Sequence, residues 1–187
     1  MKLYALCDQD MLDARGVSLE EFISIANSHG AEIIQYRNKN ADIAFIKKQL
    51  ILIRQMYDGF LIVNDAYELI EFCDGVHVGQ EDLRLIDEDI FKAVKILRTV
   101  ISSDKILGIS THNEEEVFQA NQMDLNYIGL GAYKNTTTKE GIDTVLGDKL
   151  DSIAKQSTHL VAAIGGVNLN DTFSNVTYNV IGSGLLK

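Results

Sequence analysis

The sequence predicts an α/β fold of the (β/α)8 TIM-barrel class, forming a single domain over residues 1–187, and three observations support this. Eight short apolar runs recur along the 187 residues. Amphipathic stretches separate most of them, as expected for strands joined by helical crossovers. The runs are continuously apolar rather than alternating, which is typical of parallel strands buried on both faces.

The predicted strands are these eight runs, at residues 2–6, 33–36, 60–63, 75–78, 106–109, 127–130, 160–164 and 180–181. The alternative architecture is a doubly wound open sheet. Such sheets often carry a Gly-x-Gly-x-x-Gly pattern after the first strand, and that pattern is not found after the first run here. The barrel is therefore favoured.

The helices are predicted from capping residues and apolar periodicity. Ser18 and Glu21 have the spacing of a capping box and open the first helix, which ends near Gly30. Further helices are predicted at residues 42–56, 87–100, 114–122 and 147–155. Residues 66–73 leave room for about two helical turns only.

Few residues follow the eighth predicted strand, and the sequence ends with Leu185-Leu186-Lys187. The final outer helix is therefore predicted to be missing or very short. Such a barrel should expose apolar surface beside strands eight and one, and large apolar patches mark association sites. We expect a partner subunit or an N-terminal segment to cover this surface, so a homodimer is one expected arrangement.

The composition disfavours several kinds of partner. The formal net charge is −10, which argues against a broad nucleic-acid-binding surface. No apolar run approaches the roughly 18 residues needed to span a bilayer, and no signal peptide is recognised. Cys7 and Cys73 do not make a disulfide scaffold and are predicted to be buried thiols. We therefore expect a cytoplasmic protein that acts on small molecules, without nucleic-acid or membrane partners.

Two aspartates stand where consecutive predicted strands give way to loops. Asp65 follows the run FLIVN, and Asp82 ends the segment GQED after the strand at residues 75–78. Neighbouring strands lie about 4.8 Å apart, so both carboxylates should point into one crevice. Mg²⁺ is often bound through one or two carboxylates together with substrate phosphates. Asp65 and Asp82 are therefore predicted to bind Mg²⁺.

Cations and hydroxyl groups follow other strands. Arg37 and Lys39 come after strand two, and strand alternation places them on the same side as Gln35. The loops after strands five and six add Ser110, Thr136, Thr138 and Lys139. Together with the two carboxylates, these side chains suit a diphosphate with its magnesium ion.

Glycines after the last two strands predict a second phosphate pocket. They lie in the segments Gly165-Gly166 and Gly182-Ser183-Gly184. Barrels of this class commonly bind phosphate after strands seven and eight, where backbone N–H groups can approach the ligand closely. Two phosphate sites in one barrel suggest that a phosphorylated acceptor is joined to a diphosphate-activated donor.

Six segments resemble, in order and spacing, those of the thiamine phosphate synthase (thiamine-phosphate pyrophosphorylase) family. They are IIQYRNK, FLIVNDAYEL, DGVHVGQEDL, ILGISTHNEEE, YIGLGAYKNTTTK and AAIGGVN. The resemblance covers essentially the whole chain. It implies a (β/α)8 barrel and a transferase of thiamine biosynthesis, which joins hydroxymethylpyrimidine diphosphate to thiazole phosphate by Mg²⁺-dependent dissociative substitution. The products would be thiamine phosphate and pyrophosphate.

The resemblance also implies roles for individual residues. Asp65 and Asp82 would bind Mg²⁺, and Gln35 would face the aminopyrimidine. The residues implied in catalysis are Arg37, Lys39, Ser110 and Lys139. The residues implied in substrate binding are Gln35, Arg37, Lys39, Asn64, His77, Ser110, Thr136, Thr138, Lys139, Gly166, Gly182 and Ser183. No protein nucleophile is expected, since Ser110 has no evident paired base.

Two other functions stay open. Thiazole tautomerase is a related isomerase on the same barrel that uses a histidine after strand five, where His112 stands here. Its members typically lose the metal-binding aspartates, whereas this chain keeps Asp65 and Asp82. A non-catalytic protein that binds phosphorylated ligands is the other alternative, but such a protein has no leaving group to stabilise. The synthase is therefore favoured.

Overall fold

The computed structural model describes residues 1–135 and 145–186, and its centre is a closed barrel of eight parallel strands. The strands pair in sequence order, and β1 closes the barrel against β8. They are β1 (Lys2–Asp8), β2 (Ile33–Arg37), β3 (Phe60–Asn64), β4 (Gly75–Val78), β5 (Ile106–Thr111), β6 (Tyr127–Leu130), β7 (Leu160–Ala163) and β8 (Tyr178–Ile181). The predicted fold class is confirmed, and every predicted strand is found.

The helices of the described residues lie outside the barrel. They are α1 (Gln9–Arg15), α2 (Leu19–Ser28), α3 (Ile43–Met56), α4 (Gln80–Ile86), α5 (Ile90–Val100), α6 (Glu114–Ala120) and α7 (Leu150–Ala154). Short 3-10 helices occupy Tyr67–Phe72, Gly147–Lys149 and Ser183–Leu186. None of these helices is both long and apolar enough to cross a membrane.

Side-chain caps fix the starts of the two longest helices on the early part of the chain. Ser18 Oγ accepts a hydrogen bond from the Glu21 backbone N–H at 3.1 Å, as the capping box predicts. Asp42 Oδ1 accepts from the Phe45 N–H at 2.8 Å at the start of α3. These caps orient α2 and α3 so that their apolar faces pack against the barrel.

The structure corrects the helix prediction in two respects. Helices α1 and α4 fall outside the predicted set, since each has only seven residues and too few turns for a clear apolar period. The helix predicted at residues 87–100 begins only at Ile90, because Asp89 caps it. The link between β7 and β8 is fully described and contains no helix. Because α4 begins at Gln80, Asp82 lies in the first turn of a helix rather than in a loop.

The apolar residues form two cores. A large core fills the space between the strands and the helices, whereas a smaller one fills the barrel interior. The interior core consists of Tyr4, Leu6, Ile33, Ile62, Tyr127, Ala162, Tyr178 and Val180. Branched aliphatic residues usually dominate the interior of such barrels, so the three tyrosines are unusual. Tyr4 and Tyr127 contribute hydroxyl groups to the candidate site.

The expectation of an exposed apolar surface beside β8 and β1 is wrong. Leu3 and Ile181, which lie in the core between barrel and helices, are only 7% and 2% exposed. The link between β7 and β8 covers part of this face, since Asn179 Nδ2 donates to the backbone carbonyls of Asn168 and Asp171. The 3-10 helix Ser183–Leu186 follows β8 and packs against α2, with Leu185 buried. The final outer helix is indeed very short over the described residues.

Candidate active site

Two carboxylates and an ammonium group meet at the carboxyl ends of β3 and β4. Lys39 Nζ lies 2.5 Å from Asp65 Oδ2, and 3.0 and 3.2 Å from the two oxygens of Asp82. The side chains of Asp65 and Asp82 are 21% and 29% exposed. The structure thus brings the two predicted acids to a single cation, at the end of the barrel where this fold carries its sites.

Asp65 is held in an unusual backbone conformation. It has a φ of 61° and is the one non-glycine residue with positive φ among the described residues. Its backbone N–H donates to the His77 carbonyl at 2.8 Å, and its Oδ1 accepts from the Gly79 N–H at 3.3 Å. Asn64 Nδ2 donates to Asp65 Oδ2. Left-handed non-glycine residues are uncommon and cluster at functional sites.

Asp82 reaches the site from the first turn of α4. Gly79 precedes this helix, and a Cβ atom at Gly79 would lie 2.8 Å from Asp82 Oδ2. The glycine therefore leaves room for the carboxylate to fold back toward β4. Gln80 Nε2 donates to the Ser110 carbonyl at 2.7 Å, which ties the start of α4 to β5.

The electrostatics of this cluster are set by burial and by mutual charge. Burial raises the pKa of the Asp65 carboxyl above its ordinary value, the Lys39 ammonium opposes the rise, and the Asp82 charge adds to it. For Lys39, burial acts to lower the pKa, but hydrogen bonds and charges from Asp65 and Asp82 outweigh it and the pKa is raised. Lys39 therefore stays protonated at neutral pH and neutralises part of the acidic pair.

Arg37 points to a different carboxylate. It lies at the end of β2 opposite Asp8 at the end of β1, and its Nη1 forms an ion pair with Asp8 Oδ2. Asp8 is 3% exposed, and its Oδ1 accepts from the Met11 N–H at 3.0 Å. Arg37 and Lys39, predicted to act together, are thus held by separate acids at the same end of the barrel.

A chain of polar groups runs through the barrel interior below this cluster. Gln35 Nε2 donates to the Tyr4 hydroxyl at 2.6 Å, and the Tyr4 and Tyr127 hydroxyls lie 2.8 Å apart. The Tyr127 hydroxyl lies 2.8 Å from His77 Nδ1, and His77 Nε2 lies 3.0 Å from Ser110 Oγ. The expectation that Ser110 has no paired base is therefore wrong. However, His77 Nδ1 meets a phenol rather than a carboxylate, so this is not the arrangement of a Ser-His-Asp triad.

Glycine makes room for the aromatic part of this chain. A Cβ atom at Gly108 would lie 2.2 Å from ring carbons of Tyr127, so the ring occupies space that only glycine leaves. The Tyr127 ring stacks on His77 with centroids 5.5 Å apart and an interplanar angle of 29°. Burial raises the pKa of the Tyr127 hydroxyl, and the neighbouring Tyr4 raises it further. Both phenols are therefore neutral hydrogen-bonding groups.

The glycines after β7 make a tight turn beside β8. Gly165 and Gly166 have φ values of 84° and 71°, and a Cβ at Gly166 would lie 2.8 Å from Lys134 Cβ. Neither glycine donates its N–H in a backbone hydrogen bond between described residues. Gly182 and Ser183 follow β8 at the same end of the barrel. The two turns thus lie at the end of the barrel where the second phosphate pocket was expected.

His112 is oriented by a neighbouring acid. Its Nδ1 lies 2.9 Å from Glu116 Oε2, and the same oxygen accepts from the His112 backbone N–H at 2.8 Å. The His112 side chain is 39% exposed at the end of β5. This carboxylate fixes the position of the imidazole ring at the rim of the site.

Three predicted residues, Thr136, Thr138 and Lys139, lie outside the described residues. The other predicted residues are found at the carboxyl ends of the strands or in the segments that follow them, which for Asp82 is the start of α4. The exception is Gln35, which lies within the barrel. Sequence reasoning missed Tyr4, Tyr127 and Asp8, which contact predicted residues directly. The pairing of Gly108 with a bulky neighbour across β5 and β6 is a signal that could have indicated Tyr127.

Comparisons with known proteins give a consistent result. A family model described as thiamine monophosphate synthase matches residues 3–183. The thiamine-phosphate synthase of Persephonella marina is 35% identical, over 90% of this chain and 78% of the relative. That of Clostridium novyi is 31% identical, over 100% of this chain and 89% of the relative.

Solved structures agree. The thiamine phosphate pyrophosphorylase from Pyrococcus furiosus superposes with a TM-score of 0.77 at 25% identity, covering 97% of this chain and 85% of that chain. The α subunit of tryptophan synthase from Legionella pneumophila superposes with a TM-score of 0.59 at 11% identity, covering 98% of this chain and 80% of that one. The latter likeness concerns the fold alone.

Proposed function

The chain belongs to the thiamine monophosphate synthase family, and from that premise we propose that it is a thiamine-phosphate synthase. Its reaction would join hydroxymethylpyrimidine diphosphate to thiazole phosphate. The bond between the pyrimidine methylene carbon and the diphosphate oxygen breaks, a bond from that carbon to the thiazole nitrogen forms, and pyrophosphate leaves. The observation that carries the proposal is the meeting of Asp65, Asp82 and Lys39 beside the polar chain that begins at Ser110.

Magnesium is part of this proposal because the acidic pair suits it. Asp65 and Asp82 both form ion pairs with the Lys39 ammonium group, so the two carboxylates can share one cation. Mg²⁺ is commonly bound by one or two carboxylates plus substrate phosphates and water. The described residues gather no group of three or more His, Cys, Asp and Glu side chains that could bind a metal alone, so substrate oxygens would complete the shell. When bound, the ion supplies positive charge near the departing pyrophosphate.

The protein's own cations and donors would stabilise the same leaving group. Lys39, Arg37 and Ser110 lie at the carboxyl ends of β2 and β5, and Asn64 contacts Asp65. Donors fixed in place before the reaction stabilise developing charge without the cost of reorganising solvent. We assign the pyrophosphate to these four residues and, from the sequence pattern, to Lys139. The threonines at 136 and 138 are assigned to the thiazole phosphate or to the loop that closes over it.

The barrel mouth above the polar chain suits the aminopyrimidine. Gln35, Tyr4 and Tyr127 are buried and linked by hydrogen bonds, and His77 joins them. An amide can pair with the edge of a ring that carries both donors and acceptors. The aromatic faces would favour the positive charge that develops on the methylene carbon, since ring faces attract cations. A bound substrate that displaces water from this site would protect that carbon from hydrolysis.

The second substrate would bind through backbone groups. We assign the phosphate of the thiazole to the turns at Gly166 and at Gly182-Ser183. The positive φ values of Gly165 and Gly166 support this, and neither glycine donates its N–H to another backbone group of the described residues. This places the acceptor at β7 and β8, and the diphosphate at β2 to β5. Two substrates bound across one barrel mouth would be oriented for direct attack, which is a large part of the catalytic effect in such reactions.

A thiazole tautomerase is the second candidate, because His112 is oriented by Glu116 at the rim of the site. The two candidates differ in what they need. The synthase requires the acidic pair and a diphosphate donor, whereas the tautomerase requires only a base near the thiazole. Measurement of thiazole isomerisation without the pyrimidine substrate separates them.

The direct test incubates the purified protein with both phosphorylated precursors, with and without Mg²⁺. Thiamine phosphate and pyrophosphate are expected in equal amounts, and only when Mg²⁺ is present. Isomerised thiazole phosphate without any coupled product would instead indicate the tautomerase. Binding of both precursors without turnover would indicate a non-catalytic binding protein.

Cellular location and assembly are further parts of the proposal. We assign the protein to the cytoplasm, because Cys7 and Cys73 are both free and buried and unpaired thiols persist under reducing conditions. Self-association stays a prediction from the sequence. It was based on an exposed apolar surface beside β8 and β1, and Leu3 and Ile181 on that face are buried. Sedimentation of the purified protein tests it.

A further inference from the structure

We propose that Asp8 is a positioning residue that holds Arg37 ready for the diphosphate, an inference that depends on the proposed function. Asp8 ends β1, and Arg37 ends β2 directly opposite in the register of the two strands. Their ion pair joins Arg37 Nη1 to Asp8 Oδ2.

Asp8 itself is fixed on both sides. Its backbone belongs to β1, and its Oδ1 accepts a hydrogen bond from the Met11 N–H at the start of α1. The residue is 3% exposed, so its carboxylate cannot turn toward water without losing both partners. Each carboxylate oxygen thus has one task, since Oδ1 caps the helix and Oδ2 holds the arginine.

Arg37 has donors to spare after this contact. A guanidinium group carries five N–H donors, and the hydrogen bonds between described residues use only Nη1 of Arg37. The side chain is 22% exposed at the barrel mouth. A guanidinium anchored through one nitrogen can present its remaining N–H groups to phosphate oxygens in a fixed orientation. Asp8 would therefore act through Arg37, without touching the substrate.

The rival explanation is that Asp8 only caps α1. The substitution Asp8→Asn separates the two roles, because asparagine caps helices as well as aspartate does but carries no charge. The Asn side chain can still accept from the Met11 N–H, whereas the ion pair with Arg37 is lost. Asp89→Asn is the matched control, since Asp89 caps α5 through the Phe91 and Lys92 N–H groups on an exposed part of the surface.

The experiment measures coupling kinetics and pyrophosphate binding, in the presence of Mg²⁺, for the wild type, Asp8→Asn, Arg37→Ala and the double variant. Asp8→Asn is expected to lower kcat/KM for the diphosphate substrate by roughly 10- to 100-fold. It should weaken pyrophosphate binding, measured calorimetrically, and leave the KM for thiazole phosphate nearly unchanged. In the Arg37→Ala background the same substitution should have little further effect, because residues that act through one another are not additive.

Three outcomes would overturn the proposal. Wild-type kinetics in a folded Asp8→Asn protein would show that the ion pair is dispensable. Full additivity with Arg37→Ala would show that Asp8 acts elsewhere. Loss of folding in Asp8→Asn but not in Asp89→Asn would assign Asp8 to stability, and circular dichroism of each variant checks this. A wild type that makes no thiamine phosphate would instead reject the proposed function, while the pyrophosphate titrations still test the role of Asp8.

Discussion

Lys39 Nζ lies 2.5 Å from Asp65 Oδ2 and also contacts both oxygens of Asp82. The ammonium thus stands between the two carboxylates that we assign to Mg²⁺. Mg²⁺ and the Lys39 ammonium would compete for the same two carboxylates. Lys39 should therefore leave this position when the metal and the diphosphate bind. The same side chain would then be free to reach the phosphate oxygens.

This relationship predicts that Lys39→Met changes metal binding and turnover in opposite directions. Without the ammonium, no protein cation competes with Mg²⁺ for the paired carboxylates, so Mg²⁺ should bind the free protein more tightly in a calorimetric titration. Turnover should fall by about 100-fold, because a cation near the leaving group is lost. Lys92→Met, on the exposed face of α5, is the control. Unchanged Mg²⁺ affinity in Lys39→Met would contradict the competition.

The acidic pair should be needed for magnesium but not for folding. Asp65→Asn and Asp82→Asn each keep the size of the side chain and remove a charged oxygen ligand, so coupling should fall by about 100-fold or more, with weaker Mg²⁺ binding. Asp58→Asn is the control, because Asp58 is exposed at the opposite end of the barrel, before β3. Near-normal turnover in both site variants would remove the metal assignment.

The backbone of Asp65 gives a separate prediction about stability. Its φ of 61° is tolerated by aspartate and asparagine but costs most other non-glycine residues roughly 1–2 kcal/mol. Asp65→Ala should therefore be about 1 kcal/mol less stable than Asp65→Asn, as measured by urea unfolding without Mg²⁺. Both variants lose the charge next to Lys39. The difference between their free energies of unfolding therefore reports only the backbone conformation and the hydrogen bonds of the amide group. Equal stabilities would mean that the turn relaxes without strain.

Much of the site could be predicted from the sequence because consecutive parallel strands end at one rim. Asp65 and Asp82 follow neighbouring strands, so their meeting required only the correct strand order. Asp8 was missed because nothing in the sequence indicates which carboxylate faces Arg37 across two strands. An aromatic residue in an apolar run looks like ordinary core, so Tyr4 and Tyr127 were missed as well. The side of the barrel that each residue faces depends on register, which a single sequence does not reveal.

The His112–Glu116 pair predicts a dependence of stability on pH. Burial acts to raise the pKa of Glu116, but the hydrogen bonds and charge of His112 outweigh it, and the pKa lies below its ordinary value of 4.5. A lowered folded-state pKa stabilises the protein above the unfolded-state pKa, and this contribution is lost as the pH falls through the folded-state value. Glu116→Gln should therefore cost about 1 kcal/mol at pH 6, and the difference should shrink below pH 4.5.

The neighbouring Glu115 provides the control for this measurement. Its side chain is exposed, so Glu115→Gln should leave the pH profile of unfolding unchanged. His112→Ala should reproduce part of the loss seen in Glu116→Gln, because the backbone N–H of residue 112 still donates to Glu116. It should leave coupling of the two substrates nearly intact. A collapse of coupling in His112→Ala would place the imidazole in the reaction and contradict our assignment of its role.

The space beside Tyr127 yields the last prediction. A Cβ at Gly108 would lie 2.2 Å from the Tyr127 ring, whereas a Cβ at Gly129 would lie 3.1 Å from His77 Cε1. Gly108→Ala must therefore displace the ring, and overpacking of this kind costs about 1–3 kcal/mol. In Gly129→Ala the His77 ring needs to shift by only a few tenths of an ångström. This variant should therefore lose less stability and less activity than Gly108→Ala.

The kinetic effect of Gly108→Ala should be specific. A displaced Tyr127 ring breaks the hydrogen bonds to Tyr4 and His77, which we assign to the aminopyrimidine, so the KM for the diphosphate substrate should rise by roughly 10-fold. The KM for thiazole phosphate should change little, because that substrate is assigned to β7 and β8. Equal increases in both values, at a temperature where the variant is folded, would show a general loosening of the barrel and would separate Tyr127 from pyrimidine recognition.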